Sequence, residues 1–106
     1  MEIHLGDLKT VKQILARHVP EYDVCAFGSR VKGTARDSSD LDLAVMTDRP
    51  LDTLRLADLR EAFSESDLPF KVDIVDWMTT KDDFKKLIEK DRLKIQTGKK
   101  GRGIDS

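Results

Sequence analysis

Two carboxylates separated by one residue stand where a predicted strand begins. Asp40 and Asp42 flank Leu41, and the segment Leu41–Met46 is typical of a β-strand. Side chains two apart on a strand point to the same face and lie about 6–7 Å apart along it. Such carboxylates repel each other unless a cation lies between them, and hard divalent ions such as Mg²⁺ bind carboxylates together with phosphates. The spacing therefore predicts a divalent-metal site at the start of this strand.

A third carboxylate, Asp73, lies inside the apolar run Val72–Val75, within a predicted strand from Phe70 to Trp77. We expect Asp73 to complete the metal site, because a charge inside an apolar run needs a reason to be there. Asp76 is the alternative, but it stands three positions away, so it faces the opposite side of the strand and is expected to end it. Carboxylates of this kind can hold two metal ions about 3.5–4 Å apart, which clamp both oxygens of a phosphoryl displacement.

A glycine–serine pair, Gly28-Ser29, follows the predicted strand Tyr22–Phe27 and precedes a short predicted helical turn. Glycine lets the backbone approach a ligand closely, helix N-terminal amides attract anions, and a serine hydroxyl donates to phosphate oxygens. The pair predicts a phosphate cradle, although Ser29 could instead serve only as a helix cap. Arg30 is expected to assist nucleotide binding, with a solvated basic turn at Arg30 and Lys32 as the alternative. A phosphate cradle beside a cation site is what nucleoside triphosphate chemistry needs.

The spacing of these residues resembles a known family signature. Gly28-Ser29, ten intervening residues and Asp40-Leu41-Asp42 are similar to the motif of the DNA polymerase β-like nucleotidyltransferase superfamily. The short chain resembles the minimal, MntA-like branch of that superfamily. The resemblance covers about residues 5–95 and is densest over residues 27–43. The chain departs from the family in having Val31-Lys32 where a further arginine is common.

The resemblance implies transfer of a nucleoside monophosphate from a nucleoside triphosphate to a hydroxyl group, with release of pyrophosphate. Gly28 and Ser29 match the positions that bind the triphosphate. Asp40 and Asp42 match the metal-binding pair. Asp73 matches the third carboxylate, which helps to bind the metal and takes the proton of the attacking hydroxyl. Because this set is complete, we expect an active enzyme.

The MntA-like branch also implies a partner. Its members are commonly paired with a HEPN-domain ribonuclease toxin and silence the toxin by adding AMP to a tyrosine. We therefore expect an adenylyltransferase that uses ATP and two Mg²⁺ ions and acts as the antitoxin of a HEPN protein. Two alternatives stay open: a binding module that neutralises its partner without catalysis, and a nucleotidyltransferase that modifies the hydroxyl of a small molecule.

The elements that must position these groups alternate between helix and strand. The predicted order is helix, strand, short helix, strand, helix, strand, helix, with longer helices starting at Gly6-Asp7, Asp52 and Thr80. This order favours an α/β (α+β) fold: a small mixed sheet covered by helices, which the resemblance identifies as polymerase β palm-like. We expect residues 1–96 to form a single domain and residues 97–106 a flexible basic tail.

Length and composition exclude several classes of protein. The chain has 106 residues, enough for one domain, and its 19 basic and 20 acidic residues give a net charge of −1. A near-neutral chain is not expected to coat nucleic acid, and no apolar run approaches the ~20 residues of a membrane span. The one cysteine, Cys25, is expected to be buried and unreactive, in keeping with a cytoplasmic protein. Since no second domain fits, the acceptor is expected to bring its own structure, as a protein partner does.

Overall fold

Helices and strands alternate along the part of the chain that the structure describes. The computed structural model describes residues 1–33 and 39–99. Its elements in chain order are α1 (Leu5–His18), β1 (Asp23–Phe27), α2 (Ser29–Lys32), β2 (Leu41–Met46), α3 (Thr53–Ser64), β3 (Val72–Asp76), a 3₁₀ turn (Trp77–Thr79), α4 (Asp82–Asp91) and β4 (Leu93–Gln96). None of the helices within these ranges combines the length and the apolar character that crossing a membrane requires.

The four strands form one mixed sheet in the order β3-β2-β1-β4. β1 pairs antiparallel with both β2 and β4, whereas β2 and β3 are parallel. A parallel pair needs a crossover connection, and α3 supplies it between β2 and β3. The mixed sheet with its helices confirms the predicted fold class.

The main core lies on the face of the sheet that α1 and α3 cover. Leu41, Leu43 and Val45 of β2 are fully buried there, together with apolar side chains of the two helices, among them Val11, Leu15, Leu59 and Phe63. A smaller cluster on the opposite face joins Ala44 to Ile88 of α4. Because side chains alternate along a strand, Asp42 shares this second face with Ala44.

Two predicted helix starts are wrong. α1 begins at Leu5, ahead of Gly6-Asp7, and no side chain caps it. α4 begins at Asp82 rather than following Thr80 as its cap. The Thr80 hydroxyl donates instead to the backbone carbonyl of Asp76 at 2.7 Å, so it is used at the preceding 3₁₀ turn.

Contacts with the body of the domain continue beyond β4. The Gly98 amide donates to Asp23 Oδ1 at 2.7 Å, and the Lys99 amide donates to the Pro20 carbonyl at 2.9 Å. A side chain at position 98 would collide with the backbone of Glu21 and Tyr22, so this close approach requires glycine. Residues 100–106 of the predicted tail lie outside the described residues.

Candidate active site

The predicted site residues gather where β1 ends and where β2 and β3 begin. Asp42 of β2 pairs in register with Phe27 of β1 on one side and with Asp73 of β3 on the other. Neighbouring strands lie about 4.8 Å apart, and residues paired in register share a face of the sheet. The carboxylates of Asp42 and Asp73 therefore stand side by side, and Gly28 follows Phe27 at the same edge.

The carboxyl of Asp42 has a raised pKa. Its side chain is half-buried, and burial is the largest of the causes that raise the pKa of its carboxyl above the ordinary value. The negative charges of Asp73 and Asp40 raise the Asp42 pKa further, in that order. A carboxylate destabilised by burial and by two like charges gains from a neighbouring cation.

Gly28 brings the backbone directly against Asp42. Its φ of 85° and ψ of −158° place it in a region that is essentially restricted to glycine. A Cβ built on Gly28 would collide with Oδ2 of Asp42. Gly28 is therefore needed both for the backbone turn and for the space beside the carboxylate.

Ser29 opens the short helix α2. Gly28, not Ser29, is the N-cap residue, and the Gly28 carbonyl accepts the amides of Val31 and Lys32 at 3.1 and 3.0 Å. The interpretation of Ser29 as a helix cap is therefore wrong. Its partly exposed side chain lies one residue beyond the Gly28–Asp42 contact.

A cleft of about 430 Å³ opens over the paired carboxylates. Gly28, Asp42 and Asp73 line it together with apolar side chains of the sheet and of α4: Phe27, Val75, Phe84 and Leu87. Lys32 and Asp91 also line it and form an ion pair at 3.6 Å. The cleft thus combines acidic groups with an apolar wall.

The apolar wall contains residues whose role sequence reasoning missed. Phe84, Leu87 and Ile88 have the spacing of the apolar face of a helix, yet Phe84 and Leu87 are 38% and 60% exposed, while Ile88 is fully buried. Phe84 packs edge-on against Phe27, with ring centroids 5.7 Å apart. The helical spacing of three apolar residues does not show which of them face a cleft and which face the core.

Asp40 stands apart from the Asp42–Asp73 pair. It is exposed, precedes β2 by one residue and lines a neighbouring cleft with Arg60 and Lys71. It lies close enough to Asp42 to contribute to the raised pKa of that carboxyl. The structure therefore brings Asp42 and Asp73 together in one cleft, whereas Asp40 lines a different one.

The two aspartates of β3 differ in burial, and Asp76 ends the strand as predicted. Asp73 is exposed, whereas Asp76 is 6% exposed. The Asp76 carboxylate accepts hydrogen bonds from the Thr47 hydroxyl, from the Leu51 amide at 2.7 Å and from the Met78 amide at 3.2 Å. The burial argument for Asp73 is wrong, but the register places Asp73, and not Asp76, beside Asp42.

Arg30 is neither a solvated residue nor directed at the cleft. It is 5% exposed, and its guanidinium donates to the backbone carbonyls of Ser39 and Glu2. The expectation that Arg30 binds nucleotide directly is not supported by this placement. Cys25, by contrast, is buried as expected, and burial raises the pKa of its thiol.

The donor set fits a hard divalent cation. Within the described residues, no three histidine, cysteine, aspartate or glutamate side chains converge tightly enough to form a closed metal cage. Mg²⁺ does not need one, because it is commonly held by one or two carboxylates together with phosphate oxygens and water. The Asp42–Asp73 pair supplies two carboxylates, and the raised pKa of Asp42 shows how poorly the protein alone compensates its charge.

Comparison with known proteins identifies the class. The chain belongs to the polymerase beta nucleotidyltransferase family, whose sequence profile matches residues 9–99. It is 52% identical over 100 residues to the probable protein adenylyltransferase MntA of Haemophilus influenzae. The aligned region covers 94% of this chain and 88% of that protein.

Solved structures share the fold. A chain in the crystal structure of a toxin–antitoxin complex with AMP-PNP superposes with a TM-score of 0.73 and 23% identity, over 85% of this chain and 73% of that one. The structure of a tri-AMPylated Shewanella oneidensis HEPN toxin in complex with an MNT antitoxin gives a TM-score of 0.66 and 19% identity, over 89% of this chain and 72% of the matched one.

Proposed function

We propose that this protein is a Mg²⁺-dependent adenylyltransferase that transfers AMP from ATP to a tyrosine hydroxyl of a HEPN toxin and so acts as its antitoxin in the cytoplasm. The observation that carries the proposal is the register pair Asp42–Asp73, which faces a cleft beside the Gly28-Ser29 turn. The 52% identity to a probable protein adenylyltransferase supports the choice of AMP and of a protein acceptor.

The phosphates would be held at the Gly28-Ser29 turn. Gly28 leaves its backbone open to close approach, and the Ser29 hydroxyl can donate to a phosphate oxygen. Asp42 and Asp73 would hold Mg²⁺ between protein and phosphates. Asp40, which is exposed and close enough to Asp42 to raise the pKa of that carboxyl, would be a further ligand. The ion would supply positive charge to the phosphate oxygens, as is usual in phosphoryl transfer.

Asp73 would act as the general base. It is exposed beside Asp42, so an incoming hydroxyl can reach its carboxylate. The hydroxyl oxygen forms a bond to the α-phosphorus while the bond from that phosphorus to the bridging oxygen breaks and pyrophosphate leaves. The hydroxyl proton passes to the Asp73 carboxylate oxygen.

The form of the cleft supports a structured acceptor. Phe84 and Leu87 offer an exposed apolar wall above the carboxylates, which suits the ring of a tyrosine side chain better than a highly polar small molecule. Two of the structural relatives are chains of toxin–antitoxin complexes, and one of these complexes contains a tri-AMPylated HEPN toxin. A HEPN-domain protein is therefore the proposed partner.

The test is incubation of the purified chain with ATP, Mg²⁺ and a HEPN-domain protein from the same genome, beginning with the product of the neighbouring gene. Intact-mass spectrometry should show the partner gaining mass in steps of one AMP, and peptide mapping should place the gain on tyrosine. Omission of Mg²⁺ or addition of EDTA should abolish the gain. A partner whose mass stays unchanged under all conditions would contradict the proposal.

A matched pair of variants separates catalysis from simple binding. Asp42→Asn removes a proposed catalytic charge, whereas Asp58→Asn makes the same change at an exposed residue of α3, on the other face of the sheet. We expect only Asp42→Asn to lose both AMP transfer and protection of cells from the toxin. Protection by an Asp42→Asn protein that transfers no AMP would instead favour a non-catalytic antitoxin.

A further inference from the structure

Arg30 links segments that are distant in sequence. Its Nε and Nη2 both donate to the Ser39 carbonyl, at 3.0 and 2.7 Å, and its Nη1 donates to the Glu2 carbonyl at 2.7 Å. The Arg30 carbonyl accepts the Glu2 amide at 3.0 Å in return. The guanidinium carbon also lies 4.3 Å from the centre of the Phe70 ring. One buried side chain therefore contacts three separate parts of the chain.

Two of these contacts, those with Ser39 and Phe70, lie next to the candidate site. Ser39 immediately precedes Asp40, and Arg30 itself immediately follows Ser29. Phe70 leads into β3, since the next carbonyl, that of Lys71, accepts the Leu41 amide at 2.9 Å. The guanidinium thus sits where the entries to β2 and β3 meet the serine turn.

The chemistry of these contacts requires arginine. A planar guanidinium can donate two parallel hydrogen bonds to one carbonyl and stack on an aromatic ring at the same time. A lysine ammonium is a point charge that cannot reproduce the fork, although it keeps the positive charge and much of the length. Lysine therefore tests geometry separately from charge.

We propose that Arg30 is a positioning residue of the active site. By fixing the Ser39 carbonyl it sets where the Asp40 carboxylate stands relative to Ser29 and to the Asp42–Asp73 pair. This inference rests on the proposed function, because it assigns Arg30 to the same metal and nucleotide site. It assigns Arg30 no contact with the substrate.

A second arginine, Arg55, makes similar contacts away from the candidate site and provides a control for Arg30. Arg55 of α3 donates from Nε and Nη2 to the His18 carbonyl at 3.1 and 3.0 Å and lies 5.8 Å from the Tyr22 ring centre. These contacts are at the start of β1, whereas the candidate site is at its end. Arg55→Lys therefore breaks the same kind of clamp away from the carboxylates.

The experiment compares Arg30→Lys with Arg55→Lys in two assays. Mn²⁺ binding in the presence of AMP-PNP, followed by electron paramagnetic resonance of free Mn²⁺, reports the site without any turnover. AMP transfer to the HEPN protein, at a temperature where circular dichroism shows every variant folded, gives kcat and KM.

For Arg30→Lys we expect Mn²⁺ affinity and kcat each to fall about 10–100-fold, the usual effect of losing a residue that orients ligands. Arg55→Lys should leave both values within about 2-fold of wild type, because it is remote from the site.

The outcomes are distinguishable. Wild-type Mn²⁺ affinity and kcat in Arg30→Lys would overturn the positioning role, and so would equal losses in both lysine variants. If Arg30→Lys does not fold, Phe70→Leu removes the ring beneath Arg30 and keeps an apolar side chain where Phe70 packs on the core. It should show a smaller loss of the same kind, and no loss there would also overturn the role. A wild-type protein that binds Mn²⁺ with AMP-PNP but modifies no HEPN protein would count against the proposed acceptor, while the Mn²⁺ comparison would still decide the role of Arg30. A wild-type protein that binds no Mn²⁺ would overturn both proposals.

Discussion

Asp73 and Asp76 lie on the same short strand, yet the fold treats them in opposite ways. Asp76 is buried, and its carboxylate accepts a hydroxyl and two backbone amides. Asp73 is exposed and stands beside a second carboxylate, Asp42. A buried charge with several donors stabilises the fold, whereas a pair of adjacent like charges costs stability. The contrast separates a carboxylate that serves structure from one that is available for chemistry.

The largest effect is expected at Asp42, the neighbour of Asp73. Asp42→Asn keeps the size of the side chain but removes its charge, so we expect the rate of AMP transfer to fall by at least about 10³-fold, because charge stabilisation supplies several kcal/mol of such rates. Initial rates with labelled ATP at equal concentrations of folded protein measure this. The exposed control Asp58→Asn should keep the wild-type rate, and a wild-type rate in Asp42→Asn would refute the site.

Asp73→Asn should have the next largest effect. Loss of a general base typically costs about 10²–10⁴-fold in rate, and we expect the transfer rate to fall within that range. The thermal midpoint should not fall, because Asp73 is exposed. Rate and midpoint are to be measured on the same preparation. A lower midpoint with an unchanged rate would assign Asp73 to structure and remove the contrast with Asp76.

Asp76→Asn should show the reverse pattern. An amide cannot accept at both positions that the carboxylate oxygens occupy, so one buried donor loses its partner, and we expect the free energy of unfolding to fall by about 1–3 kcal/mol. The transfer rate per folded molecule should stay at the wild-type value. Urea unfolding combined with the rate assay tests both statements. A transfer defect that persists at full folding would make Asp76 part of the site.

The smallest effect is a pH dependence of stability at Asp42. Because the folded-state pKa of this carboxyl lies above its unfolded value, stability decreases as the pH rises from the ordinary carboxyl pKa through the raised one. In EDTA, Asp42→Asn should therefore gain stability over wild type as the pH rises through this window. The gain should stay below about 1 kcal/mol, because the half-exposed group is partly screened by solvent. Urea unfolding at a series of pH values measures it, and a difference that does not vary with pH would contradict the expectation.

The sequence predicted the extent of β2 well, but it placed Asp40 beside Asp42 on that strand, whereas Asp40 precedes β2 and lines a different cleft. The bounds of β2 and the burial of Leu41 and Leu43 follow from alternation, which is a local property of the chain. The burial of Asp76 could not be predicted, because its donors Thr47 and Leu51 come from the connection after β2 and meet it only in the folded chain.

The roles of Arg30 and of the α4 side chains escaped prediction for the same reason. A basic residue after Gly28-Ser29 is equally compatible with solvent, nucleotide or the interior, and only the approach of Glu2 and Ser39 selects the interior. Phe84 has a periodicity that suits a core position, but whether a helix covers it or a cleft exposes it depends on packing.

The register between β2 and β3 has a consequence for how this protein can change. The parallel pairing of β2 with β3 holds Asp42 opposite Asp73. Insertions or deletions in the loop after α3, at residues 65–69, can therefore be absorbed, provided that the strands keep their pairing. A slip of one residue in β3 would turn Asp73 to the other face of the sheet. The number of residues in the loop can therefore change, whereas the side chains of β3 must keep their alternation between the two faces of the sheet.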